Sequence, residues 1–166
     1  MVRSTEAHFM GRHTYKIDKK GRLALPADFR RALDATRVEG DPFQGLIVMP
    51  SLDGGSLDCG GYPLVERLQR KLDELERYDA EAADAIEMAT IGQVRKLTID
   101  PEGRTILPKD FVDELGLDGE ATLIGRNWYF QIWPPAAAAA RIQDARAIAK
   151  ERRFSLRQRP APKAAE

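Results

Sequence analysis

The stretch IDKKGRLALPADF, residues 17–29, returns as IDPEGRTILPKDF at residues 99–111, 82 positions further along the chain. Eight of the thirteen letters are identical, and they include an aspartate, a glycine, an arginine and a proline in one register. A turn residue, a charge and a proline that recur together at a fixed offset indicate an internal repeat. We therefore expect the chain to carry two copies of one structural unit.

Each copy has the pattern of a β-hairpin followed by a short helix. In the first copy, strand-forming residues run to Asp18, and DKKG has the composition of a type I turn in which Gly21 can adopt a positive φ. In the second copy, Asp100 and Gly103 hold the same two turn positions. A Leu-Pro pair then ends each returning strand, and proline suits the first position of a helix. The pattern predicts two hairpins with the same turn geometry.

The repeats divide the chain into five predicted parts. Leucines recur at helical spacing from Leu64 to Leu75, which predicts a helix between the repeats. The alanine-rich run after Pro135 has high helix propensity, and the last residues have little apolar surface to bury. We predict the first repeat at 11–60, a helical connector at 61–90, the second repeat at 91–136, a C-terminal helix at 137–154 and a disordered tail at 155–166.

The composition is that of an ordinary globular protein. Of the 166 residues, 43% are apolar and 31% are charged, and no apolar run approaches the ~20 residues that a membrane-spanning helix needs. The first residues lack the apolar region of a secretory signal. Cys59 is the only cysteine, which excludes an internal disulfide and indicates a reducing cytoplasm. A zinc site is not expected from so few ligands, and we expect no metal, no cofactor and no membrane association.

The net charge of zero conceals an uneven distribution of charge. Residues 1–30 hold seven Lys and Arg against three acids, and residues 141–166 hold eight against three. Residues 65–90 restore the balance with eight acids against four bases. Because opposite charges are segregated along the chain, a local basic surface for a polyanion is compatible with overall neutrality.

The duplicated D-x-x-G-R hairpin, followed by Leu-Pro and a short helix, resembles the swapped-hairpin barrel of the AbrB family. Two such repeats joined by helices in one chain are similar to the MraZ family of bacterial transcriptional regulators. Further matches are an F-x-G motif at Phe9 and Gly11 and the segment LIGRNWYFQIW at residues 123–133. The resemblance covers roughly residues 9 to 150. The chain departs from it at Gln131, where this family usually carries glutamate.

The resemblance implies both a fold and an activity. The fold would be α+β: a swapped-hairpin, AbrB-like β-barrel formed by the two internal repeats, with helices between the repeats and at the C-terminus. The resemblance also implies a homo-oligomer, a ring, that binds double-stranded DNA at G-rich direct repeats in a promoter. The target would be the cell-division and cell-wall gene cluster of the protein itself, and the protein would lie in the cytoplasm, on the nucleoid.

Basic side chains on the hairpins are the candidate DNA contacts. The planar guanidinium of Arg22 can bind a phosphate, or the O6 and N7 atoms of guanine together, and a two-stranded ribbon is narrow enough to enter the major groove. An aspartate at the first turn position can accept hydrogen bonds from turn amides. The predicted DNA-binding residues are Arg22, Lys20, Lys19, Arg104, Arg12 and Lys16. The predicted turn-supporting residues are Asp18, Gly21, Asp100 and Gly103.

The two hairpins are predicted to contribute unequally to DNA binding. The first turn carries Lys19 and Lys20, whereas the second carries Pro101 and Glu102, and a carboxylate repels phosphate. We therefore expect the first hairpin to dominate. The alternative for each Asp–Arg pair is that it only closes its own hairpin, although an exposed pair contributes only about 0–1 kcal/mol. For Arg12 and Lys16 on the first strand, the alternative is that they only lie on a solvent-exposed face of the strand and contact no phosphate.

Three classes of function differ in how well the sequence supports them. A sequence-specific DNA-binding regulator is favoured, because many weak hairpin contacts on a ring add up when their spacing matches that of the DNA repeats. The alternative is an antitoxin-like protein-interaction module, since AbrB-like barrels also occur in antitoxins. An enzyme is not expected, because the sequence has no Ser-His-Asp set, no metal-ligand cluster and no phosphate-binding loop. No small-molecule substrate is predicted.

Overall fold

The computed structural model describes residues 8–153 and 155–157, and the predicted tail from residue 158 onward lies outside them. Strands and helices are both present, in agreement with the predicted α+β class. The strands are β1 (Arg12–Lys16), β2 (Arg22–Ala24), β3 (Gly45–Pro50), β4 (Leu57–Gly60), β5 (Arg95–Thr98), β6 (Arg104–Ile106), β7 (Glu120–Gly125) and β8 (Phe130–Trp133). The helices are α1 (Ala27–Ala35), α2 (Tyr62–Glu76), α3 (Ala80–Ala89), α4 (Lys109–Leu115) and α5 (Pro135–Glu151).

The strands of the two repeats pair with each other. Six strands form one antiparallel sheet in the order β1-β7-β8-β4-β3-β5, and β2 and β6 form a separate two-stranded ribbon. β1 of the first repeat pairs with β7 of the second, and β5 of the second pairs with β3 of the first. The ribbon also joins the repeats, with Leu23 opposite Thr105 at its centre. Each repeat therefore completes its hydrogen bonding with strands from the other.

The hydrogen-bonded ladders of the described residues form a six-stranded sheet and a two-stranded ribbon, and no closed barrel of the kind that the resemblance implies is found among them. The six-stranded sheet has β1 and β5 at its edges, and β1 connects to β2 through one bridge, between Ile17 and Leu23. At the other edge, the Asp100 amide donates a hydrogen bond to the Arg104 carbonyl (2.8 Å) in the hairpin between β5 and β6. Both edges of the sheet therefore lead into the ribbon through a hairpin, while the hydrogen-bonded ladders of the described strands form no closed barrel.

A trio of phenylalanines from different parts of the chain anchors the core. The ring centroids of Phe9, Phe29 and Phe130 lie 4.9–5.4 Å apart, and the three side chains are at most 2% exposed. Edge-to-face and tilted ring pairs of this kind contribute about 0.5–1.5 kcal/mol beyond the area they bury. Leu23 of the ribbon is fully buried in the same core. The core thus fixes which face of the ribbon points inward.

Gln131, the departure from the family pattern, lies in a buried polar network. Its side-chain oxygen accepts hydrogen bonds from Arg126 Nη1 (2.8 Å) and Trp133 Nε1 (3.2 Å), and its amide nitrogen donates to Asp58 Oδ1 (2.7 Å). Burial raises the pKa of Asp58. An amide both accepts and donates, whereas an ionised carboxylate only accepts. Glutamine can therefore join two donors to the Asp58 carboxylate, which a glutamate anion cannot do.

The helical connector is a pair of helices joined by a short turn. Leu64 and Leu72 of α2 are buried, as expected from the leucine spacing, and Asp79 caps α3 by accepting a hydrogen bond from the Ala82 amide (3.0 Å). The described residues up to Pro135 form one compact unit, and those from Ala136 belong to a second unit, which contains most of α5. Within the described ranges, none of the helices is both long enough and apolar enough to cross a membrane.

Candidate nucleic-acid interface

The first hairpin tip is organised by the carboxylate of Asp18. One oxygen, Oδ1, accepts hydrogen bonds from the amides of Lys20 (2.9 Å) and Arg22 (3.0 Å), and the other accepts from Arg22 Nε (2.6 Å). The Asp18 carbonyl accepts from the Gly21 amide at 3.0 Å. Three backbone donors and one side-chain donor therefore converge on a single residue, and they hold the Arg22 side chain beside the tip.

The second tip repeats the same arrangement. Asp100 Oδ1 accepts from the amides of Glu102 and Arg104, each at 2.9 Å, and Oδ2 accepts from Arg104 Nε at 3.1 Å. Here a second acid joins, because Glu102 Oε2 lies 2.6 Å from Arg104 Nη2. Among the described residues, Arg22 is ion-paired only with Asp18. Arg104 is thus the more fully neutralised of the two arginines.

The turn glycines connect each tip to the other repeat. Gly21 has a φ of +83° and Gly103 a φ of +80°, a region that residues with a Cβ rarely adopt. The Gly21 carbonyl accepts a hydrogen bond from the Leu107 amide (2.9 Å), and the Gly103 carbonyl accepts one from the Leu25 amide (3.0 Å). Each tip is therefore held by hydrogen bonds to the aspartate of its own turn and by a hydrogen bond from a leucine amide of the other repeat.

The turn hydrogen bonds lower the pKa of both aspartates. For Asp18 the largest cause is the hydrogen bond from the Arg22 amide, followed by that from the Arg22 side chain. For Asp100 the largest cause is the hydrogen bond from the Arg104 amide. A carboxylate that accepts hydrogen bonds in its charged form releases its proton more readily.

We expect the ionised carboxylates of Asp18 and Asp100 to stabilise the fold at neutral pH and to lose this contribution at strongly acidic pH. Because the folded pKa of Asp18 lies below its ordinary value of 3.8, its contribution is complete above that value and is lost as the pH falls through the folded pKa. Chemical denaturation of wild type and Asp18→Asn should therefore show a stability difference at about pH 7 that narrows at about pH 3. Asp100→Asn should follow the same trend. A difference that is constant with pH would contradict this assignment.

The ribbon register puts both hairpin arginines on one outward face. Arg22 lies opposite Ile106, and Ala24 opposite Arg104, whereas Leu23 and Thr105 between them are buried. The side chains of Arg22 and Arg104 are 40% and 37% exposed. As diagonal neighbours they have Cα atoms about 7–8 Å apart, and they line one shallow depression with Lys16 and Asp18.

The other predicted bases lie at different distances from this face. Lys19 and Lys20 are exposed at the first tip and line a second depression next to it, together with Lys109 of α4. Lys109 was not predicted from the sequence, because it does not belong to a hairpin. Arg12 is exposed at the far end of β1, four residues or about 14 Å from Lys16 along the strand. Arg12 is therefore not brought to the tips.

Arg30 of α1 is a second basic residue that sequence reasoning missed. Its guanidinium packs on the second tip so closely that a Cβ added to Gly103 would lie 2.7 Å from Arg30 Cζ. Its Nε is buried and has no hydrogen-bond partner in the described part of the chain. The position 82 residues later is Val112, which lines the depression at the first tip. Comparison of the two copies could have identified Arg30, because it is a basic residue at a position where the second copy has the apolar Val112.

The described residues contain no group of three His, Cys, Asp or Glu side chains arranged as a metal site. Cys59 is completely buried, and burial raises the pKa of its thiol far above the ordinary value. A thiol held protonated in the core is inert as a nucleophile.

Comparison with known proteins identifies close relatives. The family described as "MraZ protein, putative antitoxin-like" matches residues 8–38 and 90–157. A protein of Methylocella silvestris named transcriptional regulator MraZ is 38% identical over 92% of this chain and 90% of its own length. Proteins with the same name from Beijerinckia indica and Rickettsia akari are 35% and 31% identical, over 92% and 90% of this chain and 89% and 96% of their own lengths.

Proposed function

The chain belongs to the MraZ family, and on that premise we propose that it is a non-enzymatic transcriptional regulator that binds double-stranded DNA. The observation that carries the proposal is the pair of arginines, Arg22 and Arg104, on the exposed face of one ribbon. A B-DNA major groove about 12 Å wide admits a two-stranded ribbon. Arginine can then bind the O6 and N7 atoms of guanine, while Lys16, Lys19 and Lys20 contact phosphates.

The proposal includes the swapped-hairpin arrangement and its assembly. Residues 11–60 and 91–136 are the two AbrB-like repeats, and support comes from the exchange of strand partners between them. A single tip offers few contacts, so several subunits arrayed as a ring would bind G-rich direct repeats together and gain affinity by multivalency. The target is the promoter of the protein's own cell-division and cell-wall gene cluster, and the site of action is the cytoplasmic nucleoid.

Binding to the DNA upstream of the protein's own gene tests this proposal. Fluorescence anisotropy should give an affinity roughly 10³-fold or more above that for scrambled DNA of equal length. Affinity should fall steeply with salt, because phosphate contacts release counterions. Equal affinity for the two DNAs at every salt concentration would show that the hairpins do not read sequence.

Arg30 is expected to supply the second tip with the positive charge that Pro101 and Glu102 do not provide. Replacing Arg30 with alanine should weaken DNA binding and reduce the slope of log K against log salt by about 1, the value for one lost phosphate contact. The double variant Arg30→Ala with Glu102→Lys should recover the slope. Arg31→Ala is the control, since Arg31 lies on the same helix but is exposed and paired with Asp28.

A changed melting temperature together with an unchanged salt slope would assign Arg30 to packing against Gly103 alone. The two readouts separate these roles, because packing on the turn acts in the free protein whereas a phosphate contact acts only in the complex. The Glu102→Lys rescue adds a second test, since a new lysine restores charge without restoring the contact with Gly103.

An antitoxin-like interaction module is the second candidate, because the description of the matching family contains the words antitoxin-like. The two candidates predict different partners. One small protein that co-purifies in fixed stoichiometry, together with no preference for the upstream DNA, would favour the interaction module over the regulator.

A further inference from the structure

Ile106 is an apolar side chain on the charged outward face of the ribbon. It is 58% exposed, whereas its neighbours Thr105 and Leu107 are 1% and 2% exposed. Successive residues of a strand point to opposite faces, so this alternation turns Ile106 away from the core. In the ribbon register it lies directly opposite Arg22 and two positions after Arg104. Ile106 therefore shares the exposed face that carries the two hairpin arginines.

Positive charge surrounds this isoleucine. Directly opposite residues of an antiparallel pair have Cβ atoms about 4.5–5.5 Å apart, which places the Cβ of Ile106 about 5 Å from that of Arg22. Ile106 also lines the depression at the first tip with three lysines, Lys19, Lys20 and Lys109. Among the described residues one acid, Asp113, lines that depression, and it is paired with Lys109 at 2.7 Å. A partner that covers Ile106 must therefore combine negative charge with an apolar group.

The repeat places an apolar residue opposite each hairpin arginine. The position equivalent to Ile106 in the first repeat is Ala24, 82 residues earlier, and Ala24 lies opposite Arg104. Ala24 also lines the depression that contains both arginines. The exposed face of the ribbon thus alternates arginine with apolar side chains, and the larger apolar residue lies beside Arg22. Isoleucine also has a high strand propensity, so stabilising the ribbon is the alternative role that an experiment has to exclude.

We infer that Ile106 contacts the C5 methyl group of a thymine that lies about one to two base pairs from the guanine bound by Arg22. Of the four bases, only thymine presents an apolar group at its major-groove edge, and the neighbouring phosphates supply the negative charge. Base pairs follow one another at about 3.4 Å along the DNA, so a separation of about 5 Å between the two side chains corresponds to this distance. The inference rests on the DNA-binding function proposed above and adds a specificity-determining residue to it.

Removing the thymine methyl groups from the DNA tests this inference. Upstream DNA synthesised with deoxyuridine in place of thymidine keeps every base pair and every phosphate but lacks these methyl groups. Wild type should bind it about fourfold or more weakly than the natural DNA in fluorescence anisotropy, which is the effect of one buried methyl group. Ile106→Ala should bind the natural DNA with a similar loss of affinity and should show no further loss on the deoxyuridine DNA.

Two further variants serve as matched controls. Ile106→Val keeps a branched apolar side chain, so it should retain most of the difference between the two DNAs. Ile148→Ala removes an isoleucine that is 54% exposed on α5, outside the ribbon, and it should behave as wild type on both DNAs. A role in stabilising the ribbon would instead lower the affinity of Ile106→Ala and leave it as sensitive to the methyl groups as wild type.

Each outcome of this experiment supports or overturns the inference. Equal binding of wild type to natural and deoxyuridine DNA would overturn it, and so would an equal loss on deoxyuridine DNA in wild type and Ile106→Ala. If circular dichroism shows that Ile106→Ala is unfolded, Ile106→Gln takes its place. If wild type prefers upstream to scrambled DNA but is insensitive to the methyl groups, the inference fails and the proposed function stands. If wild type has no preference for upstream DNA, both fail.

Discussion

Replacing Arg22 with alanine is expected to abolish most of the preference for the upstream DNA while leaving the protein folded. One arginine that binds a guanine through two hydrogen bonds contributes about 1–3 kcal/mol of discrimination, which is about five- to 150-fold in affinity per subunit. The cost to stability is small, since the Arg22–Asp18 pair is 40% and 41% exposed and water screens such exposed pairs. Anisotropy on upstream and scrambled DNA, with light scattering for the oligomeric state, measures both effects.

Two further variants separate recognition of the DNA sequence from the general attraction of positive charge to DNA. Arg22→Lys keeps the charge but lacks the planar fork, so it should retain binding to scrambled DNA and lose the preference. Arg104→Ala should have a smaller effect than Arg22→Ala, because Arg104 is already paired with both Asp100 and Glu102. If the Arg22→Ala protein still prefers the upstream DNA, Arg22 does not read the DNA sequence and its role is only to close its own hairpin.

Replacing Gly21 with alanine is expected to destabilise the protein by about 2–5 kcal/mol. A Cβ at this position would lie 2.6 Å from the Leu107 carbonyl oxygen, a backbone atom of the other repeat that cannot rotate away. The positive φ adds about 1–2 kcal/mol of local strain, and the displacement of packed backbone adds about 1–3 kcal/mol. Urea denaturation at neutral pH measures the change in the free energy of unfolding.

Gly40→Ala is the matched control for the Gly21 prediction. Gly40 has a φ of +82°, within one degree of Gly21, but a Cβ there would meet no atom within 4 Å. It should therefore show only the strain of the left-handed conformation, about 1–2 kcal/mol. Equal destabilisation by the two substitutions would mean that the backbone at Leu107 moves away from a Cβ at position 21 without a cost in the free energy of unfolding.

The sequence by itself determined the local structure of this protein. Asp18 with Gly21, and Asp100 with Gly103, predicted two tight turns because a carboxylate acceptor and a residue free to adopt positive φ act over four residues. The Leu-Pro pairs predicted where the returning strands end. The leucine spacing predicted the helix of the connector, because periodicity reports which face of a helix is buried.

Only the tertiary structure decided which strands pair and which side chains meet. Arg22 and Arg104 share a face because β2 pairs with β6 across the repeats, and Arg30 reaches Gly103 from a helix of the other repeat. The ladders of the described strands form a sheet and a ribbon, and the hairpins that begin at Asp18 and Asp100 join the two. Pairing between residues 82 positions apart depends on packing of the whole core, and no local preference along the chain encodes it.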